Sequence, residues 1–135
     1  MLLNCFYDIL LFADSVIADG EQLIKATIRF HESHSIFKGH FPGNPVVPGV
    51  CQVQIIKELA EKSLNHSVRL YESNNIKFLS MINPQANPEA EIEMRLKRIA
   101  PSQFSAVATM GFGSTIFLKF NGKFELEEQC QKKQL

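Results

Sequence analysis

The amino-acid sequence predicts an α+β fold in which one antiparallel sheet packs against a single helix. The order of segments leads to this prediction, because two strand-like segments precede one apolar helix and three or four more follow it. The length points the same way, since 135 residues suit one compact domain. We expect this domain to span residues 1–125 and a polar C-terminal tail to occupy residues 126–135.

The two segments before the helix are apolar and rich in branched side chains. The first predicted strand covers Leu10–Ile17, and the Asp19-Gly20 pair that follows it is typical of a tight hairpin turn. A second strand is predicted over residues 23–30, where apolar and polar residues mix. Residues 31–48 hold three prolines and two glycines, so this stretch is predicted to be a loop.

The helix is predicted to begin at Gly49 or Val50 and to end near Leu64, with Asn65 as its stop signal. Apolar residues at roughly the helical period mark its predicted core side: Val50, Val53, Ile56, Leu59, Ala60 and Leu64. Charged residues predict a solvated side: Lys57, Glu58, Glu61 and Lys62.

Strands are predicted again after the helix. Their expected ranges are Asn75–Ile82, Ala90–Ile99, Phe104–Phe112 and Thr115–Glu125. Gly111 and Gly113 are candidate bulge points, and the Asn121-Gly122 pair is a candidate tight turn. A sheet that one helix covers on one face leaves an edge and apolar surface, which favours dimerisation.

Composition argues against several classes of partner. Basic and acidic residues balance at fourteen each, which gives no sign of nucleic acid or an anionic membrane surface as a partner. The three cysteines match no zinc pattern, so we expect no metal and free thiols in a reducing cytoplasm. The apolar N-terminal residues lack a basic start, and Asp8 and Asp14 interrupt any run of membrane length. We therefore expect a soluble, cytoplasmic protein.

The loop before the helix carries the residues suited to chemistry. Its prolines restrict the backbone, so the loop can hold the side chain of His40 in place. Histidine titrates near neutral pH and can take a proton from a weak carbon acid and return it. The loop leads into the helix at Pro48-Gly49-Val50, where free N–H groups can polarise a carbonyl oxygen. A base beside such a helix start suits proton abstraction next to a thioester carbonyl.

The segment Gly39-His40-Phe41-Pro42-Gly43-Asn44-Pro45-Val46-Val47-Pro48-Gly49-Val50 resembles the loop of bacterial 3-hydroxyacyl-[acyl carrier protein] dehydratases of the hotdog fold. The Ile76-Lys77-Phe78 segment is also similar to the strand after the helix in that family, and a looser resemblance extends over about residues 7–124. The resemblance implies a hotdog fold, in which the antiparallel sheet wraps around one central helix. It also implies a homodimer or a larger assembly of dimers, with active sites at the dimer interface.

The resemblance further implies a reaction and the residues for it. The substrate would be a 3-hydroxyacyl chain on the phosphopantetheine arm of an acyl carrier protein, with no metal or organic cofactor. His40 matches the catalytic histidine, and the Gly49 and Val50 amides match the helix start that binds the thioester. Phe41 and Pro48, in the same motif, are expected to contact substrate. The expected product is the trans-2-enoyl thioester, in fatty-acid or related polyene or lipid biosynthesis.

The sequence departs from the family pattern at Gln54, where the family has a catalytic Glu or Asp. An amide cannot usefully donate a proton near pH 7, so three interpretations stay open. In the first, His40 makes both proton transfers, alone or with a water, and Gln54 only positions the β-hydroxyl. In the second, another carboxylate substitutes, with Glu58 one helical turn away as the first candidate, although a solvated helix position is the simpler expectation for it. In the third, the protein is a hotdog acyl thioesterase, or a non-catalytic acyl-thioester-binding subunit of a heterodimer.

The remaining histidines and cysteines are assigned no chemistry. His31 and His34 are expected to be surface loop residues, and His66 suits the negative end of the helix. Cys51 lies in the first helical turn, where a thiol can be activated, but a packing role is expected for it.

Overall fold

A computed structural model describes residues 1–128 of the chain. It contains six strands, β1 to β6, and two helices, α1 and α2. In chain order these are β1 Tyr7–Ala18, β2 Glu21–Phe30, α1 Ile36–Gly39, α2 Gly49–Leu64, β3 Val68–Phe78, β4 Glu89–Ala100, β5 Gln103–Phe112 and β6 Thr115–Leu126. The predicted α+β pattern of two strands, one long helix and further strands is confirmed.

All six strands form one antiparallel sheet in the order β1-β2-β4-β5-β6-β3. The alternation predicted from the sequence is clearest in β4, where Ile92 and Met94 are buried while Glu91 and Glu93 are exposed. The buried face of the sheet and the buried side of α2 share one core of aliphatic residues and phenylalanines. The sheet leaves β1 and β3 as its two edges.

The turn predictions had mixed outcomes. The Asp19-Gly20 turn is confirmed, since Ala18 pairs with Glu21 and Gly20 has φ +71°. Gly111 lies at a register shift between β5 and β6, as expected of a bulge point. The Asn121-Gly122 turn was wrong, because both residues lie inside β6.

Gly122 is required for close approach rather than for a turn. A Cβ atom there would lie 2.9 Å from the Glu72 carbonyl oxygen of β3.

Strand β3 itself begins at Val68 and ends at Phe78, earlier than the predicted Asn75–Ile82. Its middle, residues 72–75, is polar like a loop, yet the strand pairs with β6 along the sheet edge. Ile82 is buried outside any strand, and its carbonyl oxygen accepts a hydrogen bond from the Val47 N–H group (2.8 Å).

The predicted bounds of α2 are confirmed, but its predicted sides were partly wrong. The helix covers Gly49–Leu64, and Asn65 ends it in the left-handed conformation. Val50, expected in the core, is 77% exposed, whereas Glu58, expected in solvent, is only 6% exposed. The N-terminal residues explain Glu58, because its carboxylate accepts hydrogen bonds from the N–H groups of Leu2 (2.7 Å) and Leu3 (2.9 Å). That segment covers a side of the helix that its charges mark as solvated.

The C-terminal boundary lies slightly later than expected. Leu126, assigned to the polar tail, is the last residue of β6, and the N–H group of Glu127 still donates to the Ser67 carbonyl. The rest of the predicted tail from residue 129 onward, with Cys130, lies outside the described residues. No helix of the described chain is long and apolar enough to cross a membrane.

Candidate active site

The loop between α1 and α2 holds His40 by two hydrogen bonds to one residue. The N–H group of Val46 donates to the His40 carbonyl (2.9 Å), and the His40 Nδ1 lies 3.2 Å from the Val46 carbonyl oxygen. A carbonyl oxygen can only accept, so Nδ1 must carry the proton and donate it. The other ring nitrogen, Nε2, then carries the lone pair. The backbone thus fixes the tautomer in which Nε2 can act as a base.

Further contacts keep this loop in shape. The N–H groups of Phe41 and Asn44 each donate to the other residue's carbonyl, at 3.0 and 2.9 Å. The Phe41 ring stacks on the His40 ring with centroids 4.2 Å apart. Val47 is tied to Ile82 of the segment after β3. The loop predicted from its prolines is therefore ordered by hydrogen bonds within itself and to that segment.

His40 lies beside the first turn of α2. Pro48 is the N-cap in an extended conformation, and its carbonyl accepts hydrogen bonds from the N–H groups of Cys51 (3.0 Å) and Gln52 (3.1 Å). The N–H groups of Gly49 and Val50 precede that first helical bond and make no hydrogen bond within residues 1–128. A helix start with two free donors is suited to a developing negative charge on oxygen.

One cavity of about 650 Å³ brings His40 and this helix start together. Its lining residues are His40, Val46, Val47, Gly49, Gln52, Phe78, Leu79, Ser80 and Met81. The Phe78 ring packs directly on Gly49, so that a Cβ atom at position 49 would lie 2.8 Å from it. Glycine at this position is therefore required by the close approach of Phe78.

The structure does not bring Gln54 into this cavity. Gln54 follows Gln52 by two residues, which places the two side chains about 200° apart around the helix. Its Nε2 donates to the Glu58 carboxylate at 2.7 Å. Glu58 also accepts from the Tyr7 hydroxyl (3.0 Å) and from the two N-terminal N–H groups described above. Burial, followed by the negative charge of Glu58, raises the pKa of Tyr7.

Three other expected site residues lie outside the lining of the cavity, and one of them, Pro48, is buried at the N-cap of α2. Phe41 is half exposed beside His40, and the Val50 side chain points to solvent. Phe78, Leu79 and Met81 are also large exposed apolar residues, so the mouth of the cavity is apolar. None of these three was predicted from the sequence to be a site residue, because the end of β3 and the segment after it reach α2 only through the fold.

The sequence prediction also missed Gln52. It is 3% exposed and lines the cavity beside His40 and Gly49. A signal was present, since residues three apart lie on the same side of a helix and Gln52 follows Gly49 by three. The apolar helical period instead assigned its neighbour Val53 to the core side and left Gln52 without a role.

The remaining singled-out residues do not enter the cavity. His31 pairs with Asp8 (2.9 Å), and the half-buried His34 packs its ring edge-on against Phe6 and accepts the N–H of Ile36, so His34 is a packing residue rather than a surface one. Cys51 is buried, and burial raises the pKa of its thiol, which argues against a nucleophilic role. No group of three or more His, Cys, Asp or Glu side chains in the described part of the chain is placed to hold a metal ion.

A second groove of similar size, about 610 Å³, crosses β1, β2, β4 and β5. Apolar residues such as Leu11, Phe112 and Ile116 line it together with Lys25, Glu91 and other strand residues. No histidine, cysteine or helix N-terminus contributes to its lining. Of these two cavities within residues 1–128, the one at His40 is therefore the better candidate for an active site.

Comparison with known protein families indicates which family the chain belongs to. Residues 16–114 match the model of the ApeI-like family, described as ApeI dehydratase. The chain belongs to the ApeI-like dehydratase family. Among curated relatives of this ApeI-like chain, the 3-hydroxyacyl-[acyl-carrier-protein] dehydratase FabZ of Wolbachia pipientis is 30% identical over 125 residues, covering 84% of the chain and 87% of the relative. FabZ of Lactiplantibacillus plantarum is 29% identical and covers 76% and 75%.

Solved structures confirm the hotdog fold expected of this dehydratase-type enzyme. An uncharacterized protein from Erwinia carotovora aligns with a TM-score of 0.61 at 22% identity, covering 88% of the chain and 94% of that protein. The ApeI:P dehydratase heterocomplex from Xenorhabdus doucetiae aligns at 0.56 and 16% identity, covering 85% and 96%. A thioesterase from Pseudomonas aeruginosa aligns at 0.54 and 10% identity, covering 85% and 80%. These similarities concern the fold, which dehydratases and thioesterases share.

Proposed function

We propose that this ApeI-like chain removes water from 3-hydroxyacyl thioesters of acyl carrier protein and gives trans-2-enoyl thioesters. The observation that carries the proposal is the hydrogen bond from His40 Nδ1 to the Val46 carbonyl, which leaves Nε2 as a base in the cavity at the start of α2. The substrate class follows from the names of the curated relatives.

The proposed reaction uses one base for both proton transfers. The thioester carbonyl oxygen accepts hydrogen bonds from the Gly49 and Val50 N–H groups, which stabilise the enolate-like oxyanion. His40 Nε2 takes the proton from C2 as the C2–H bond breaks. The same proton then passes to the 3-hydroxyl as the C3–O bond breaks, so that water leaves and the C2–C3 double bond forms. In this scheme the half-exposed Phe41 borders the entrance for the acyl arm, and the buried Pro48 holds the start of α2 in place.

Gln54 can act only at the site of a second copy, because it lies on the opposite side of α2 from the cavity of its own chain. We propose a homodimer, or an assembly of dimers, in which Gln54 of each copy faces the neighbouring site and positions the β-hydroxyl there. The exposed apolar rim formed by Val50, Phe78 and Met81 supports a partner surface at this point. Light scattering after size exclusion tests this directly, since a monomeric mass at micromolar concentration contradicts it.

The reaction is tested by incubating the protein with a 3-hydroxyacyl carrier protein and following enoyl thioester formation. His40→Ala is expected to reduce turnover by about 10²- to 10⁴-fold, the usual contribution of a general base. His66→Ala is the matched control, since His66 lies beyond the other end of α2 and bonds the Ser67 carbonyl. Equal activity of the His40→Ala variant and wild type contradicts the assignment of the site.

Two alternatives use the same cavity and give different products. A thioesterase would use His40 to activate a water, and it would release free carrier-protein thiol instead of enoyl thioester. A non-catalytic subunit would retain the acyl carrier protein without turnover and pair with a different hotdog chain, and a dehydratase heterocomplex is among the solved structures of this fold. Thiol titration and enoyl detection in one reaction separate the three outcomes. A cytoplasmic location remains a prediction that cell fractionation tests.

A further inference from the structure

Gln52 is a buried amide with one half of its hydrogen-bonding capacity unmet. Its Nε2 donates to the Val47 carbonyl oxygen at 3.3 Å. Its Oε1 is buried and accepts no hydrogen bond from any residue within 1–128. Buried polar atoms nearly always have hydrogen-bond partners. A buried acceptor loses its hydrogen bonds to water, and without a partner it forms none in the folded protein.

The orientation of the amide is determined by its neighbour. If the Gln52 amide were rotated by half a turn, Oε1 would face the Val47 carbonyl oxygen, and two acceptors would oppose each other. Nε2 must therefore face Val47, and the atom left without a partner is an acceptor. Whatever satisfies Gln52 must bring a hydrogen-bond donor.

The position of Gln52 indicates where that donor comes from. Gln52 lines the cavity that contains His40 and the N-terminus of α2. It lies one helical turn after Gly49 on the same side of the helix, and it is more buried than Gly49. A thioester whose carbonyl lies at Gly49, with its carrier arm toward the exposed apolar mouth, directs its acyl end inward toward Gln52.

We propose that Gln52 Oε1 accepts a hydrogen bond from the 3-hydroxyl group of the substrate and selects 3-hydroxyacyl thioesters over thioesters that lack this hydroxyl. The inference rests on the proposed function, since it places the hydroxyl next to the proposed base. It gives the hydroxyl a partner from the same chain as His40, in addition to the Gln54 that a neighbouring copy would supply. A site built to bond a hydroxyl rejects the analogue without it, because the buried polar group is then left unpaired.

The same hydrogen bond is expected to strengthen during dehydration. As the C3–O bond breaks and the departing oxygen receives the proton from His40, its own O–H group becomes a better donor. The bond to Gln52 Oε1 is then stronger in the transition state than in the bound substrate, which raises kcat rather than binding alone. Gln52 would thus contribute to both selectivity and rate.

The test compares matched ligands on the same carrier protein. In a His40→Ala background, where turnover is expected to be about 10²- to 10⁴-fold slower, the dissociation constants of 3-hydroxyacyl and saturated acyl carrier protein of equal chain length are measured with and without Gln52→Leu. We expect Gln52→Leu to weaken binding of the 3-hydroxyacyl form by about tenfold and to leave the saturated form unchanged. With His40 present, kcat for dehydration should fall further than KM rises.

Several outcomes overturn the inference. Equal weakening of both ligands would mean that Gln52 bonds an amide N–H of the pantetheine arm, and no change in either would mean that it bonds no part of the substrate. Gln22→Leu near the start of β2, where the side chain makes an exposed hydrogen bond to Asp14, is the control for replacing a glutamine by leucine. If Gln52→Leu does not fold, as judged by circular dichroism, Gln52→Met provides the same comparison.

The two proposals fail in different ways. If wild type dehydrates the substrate and Gln52→Leu matches it in kcat and in ligand preference, only the role of Gln52 is wrong. If wild type prefers the 3-hydroxyacyl ligand through Gln52 but makes no enoyl product, only the dehydratase reaction is wrong.

Discussion

The polar residues on the two sides of α2 differ in whether their hydrogen-bonding groups have partners. On one side, Gln54 and Tyr7 donate to the buried carboxylate of Glu58, which accepts four hydrogen bonds in all. On the other side, Gly49 and Gln52 border the His40 cavity with free donors and an unpartnered acceptor. Polar groups with all their partners stabilise the fold, and groups without partners are the ones available to a ligand. The following predictions test that division, from the largest expected effect to the smallest.

Replacement of the central carboxylate on the Glu58 side should have the largest effect on stability. Glu58→Leu leaves four donors without their acceptor, and we expect a loss of about 2–4 kcal/mol in the free energy of unfolding. Urea denaturation measures it. Glu58→Gln, which keeps an acceptor oxygen, should lose less. If Glu58→Leu costs less than the exposed control Glu91→Leu, the Glu58 side does not hold the N-terminal segment.

Introduction of a second carboxylate on the same side should make stability depend on pH. In Gln54→Glu two carboxylates face each other where the amide lies 2.7 Å from Glu58, so the folded pair retains a proton that the unfolded chain releases. The folded state then binds more protons, and stability should fall by about 2 kcal/mol as the pH rises from about 5 to 8.

Gln54→Met is the control without added charge, and its stability should not fall in this way between about pH 5 and 8.

The same Gln54→Glu variant also tests whether a carboxylic acid at position 54 restores dehydration. A large gain in dehydration would mean that the introduced carboxyl reaches a neighbouring site and supplies a proton there. An unchanged rate would mean that the Glu58 side of α2 is purely structural.

Replacement of Tyr7 should change the free energy of unfolding by less, and the change should depend on pH in the alkaline range. Its pKa is raised by burial and by Glu58, so the folded state keeps the phenol proton longer than the unfolded chain does. Stability is therefore fully present below the ordinary tyrosine pKa of about 10 and is lost as the pH rises above it. Tyr7→Phe should remove this alkaline loss and cost about 1 kcal/mol at neutral pH. Tyr71→Phe on β3, which is less buried, should leave the alkaline loss in place.

On the cavity side, replacement of a buried polar residue should change the stability of the unliganded protein very little. Gln52→Leu removes an unpartnered buried acceptor along with one long hydrogen bond, so the free energy of unfolding should stay within about 1 kcal/mol of wild type. A loss as large as that of Glu58→Leu would contradict the division between the two sides.

Replacement of Cys51 should have the smallest effect of these substitutions. In a background where Cys130 is replaced by Ser, Cys5 should react quickly with a thiol reagent and Cys51 slowly, because Cys5 is exposed whereas burial raises the pKa of the Cys51 thiol. Cys51→Ala should retain dehydration activity. A complete loss in a folded protein would revive the nucleophilic role that the structure argues against.

The sequence by itself determined the α+β pattern, the bounds of α2 and the motif around His40. These features depend on local signals: alternation in β4, prolines and glycines before the helix, and the left-handed stop at Asn65. The family resemblance also rested on one continuous segment, and the match over residues 16–114 confirmed it.

Only the tertiary structure decided which side of α2 borders the His40 cavity. The helical period fixes which residues share a side, but not what covers that side. Glu58 is buried because Leu2 and Leu3, more than fifty residues away, donate to it. Gln52 lies at the cavity because the end of β3 packs on Gly49 and the segment after it bonds the Val47 backbone. Contacts between distant segments carry no local signature, so the roles of the two glutamines could be distinguished only in the folded chain.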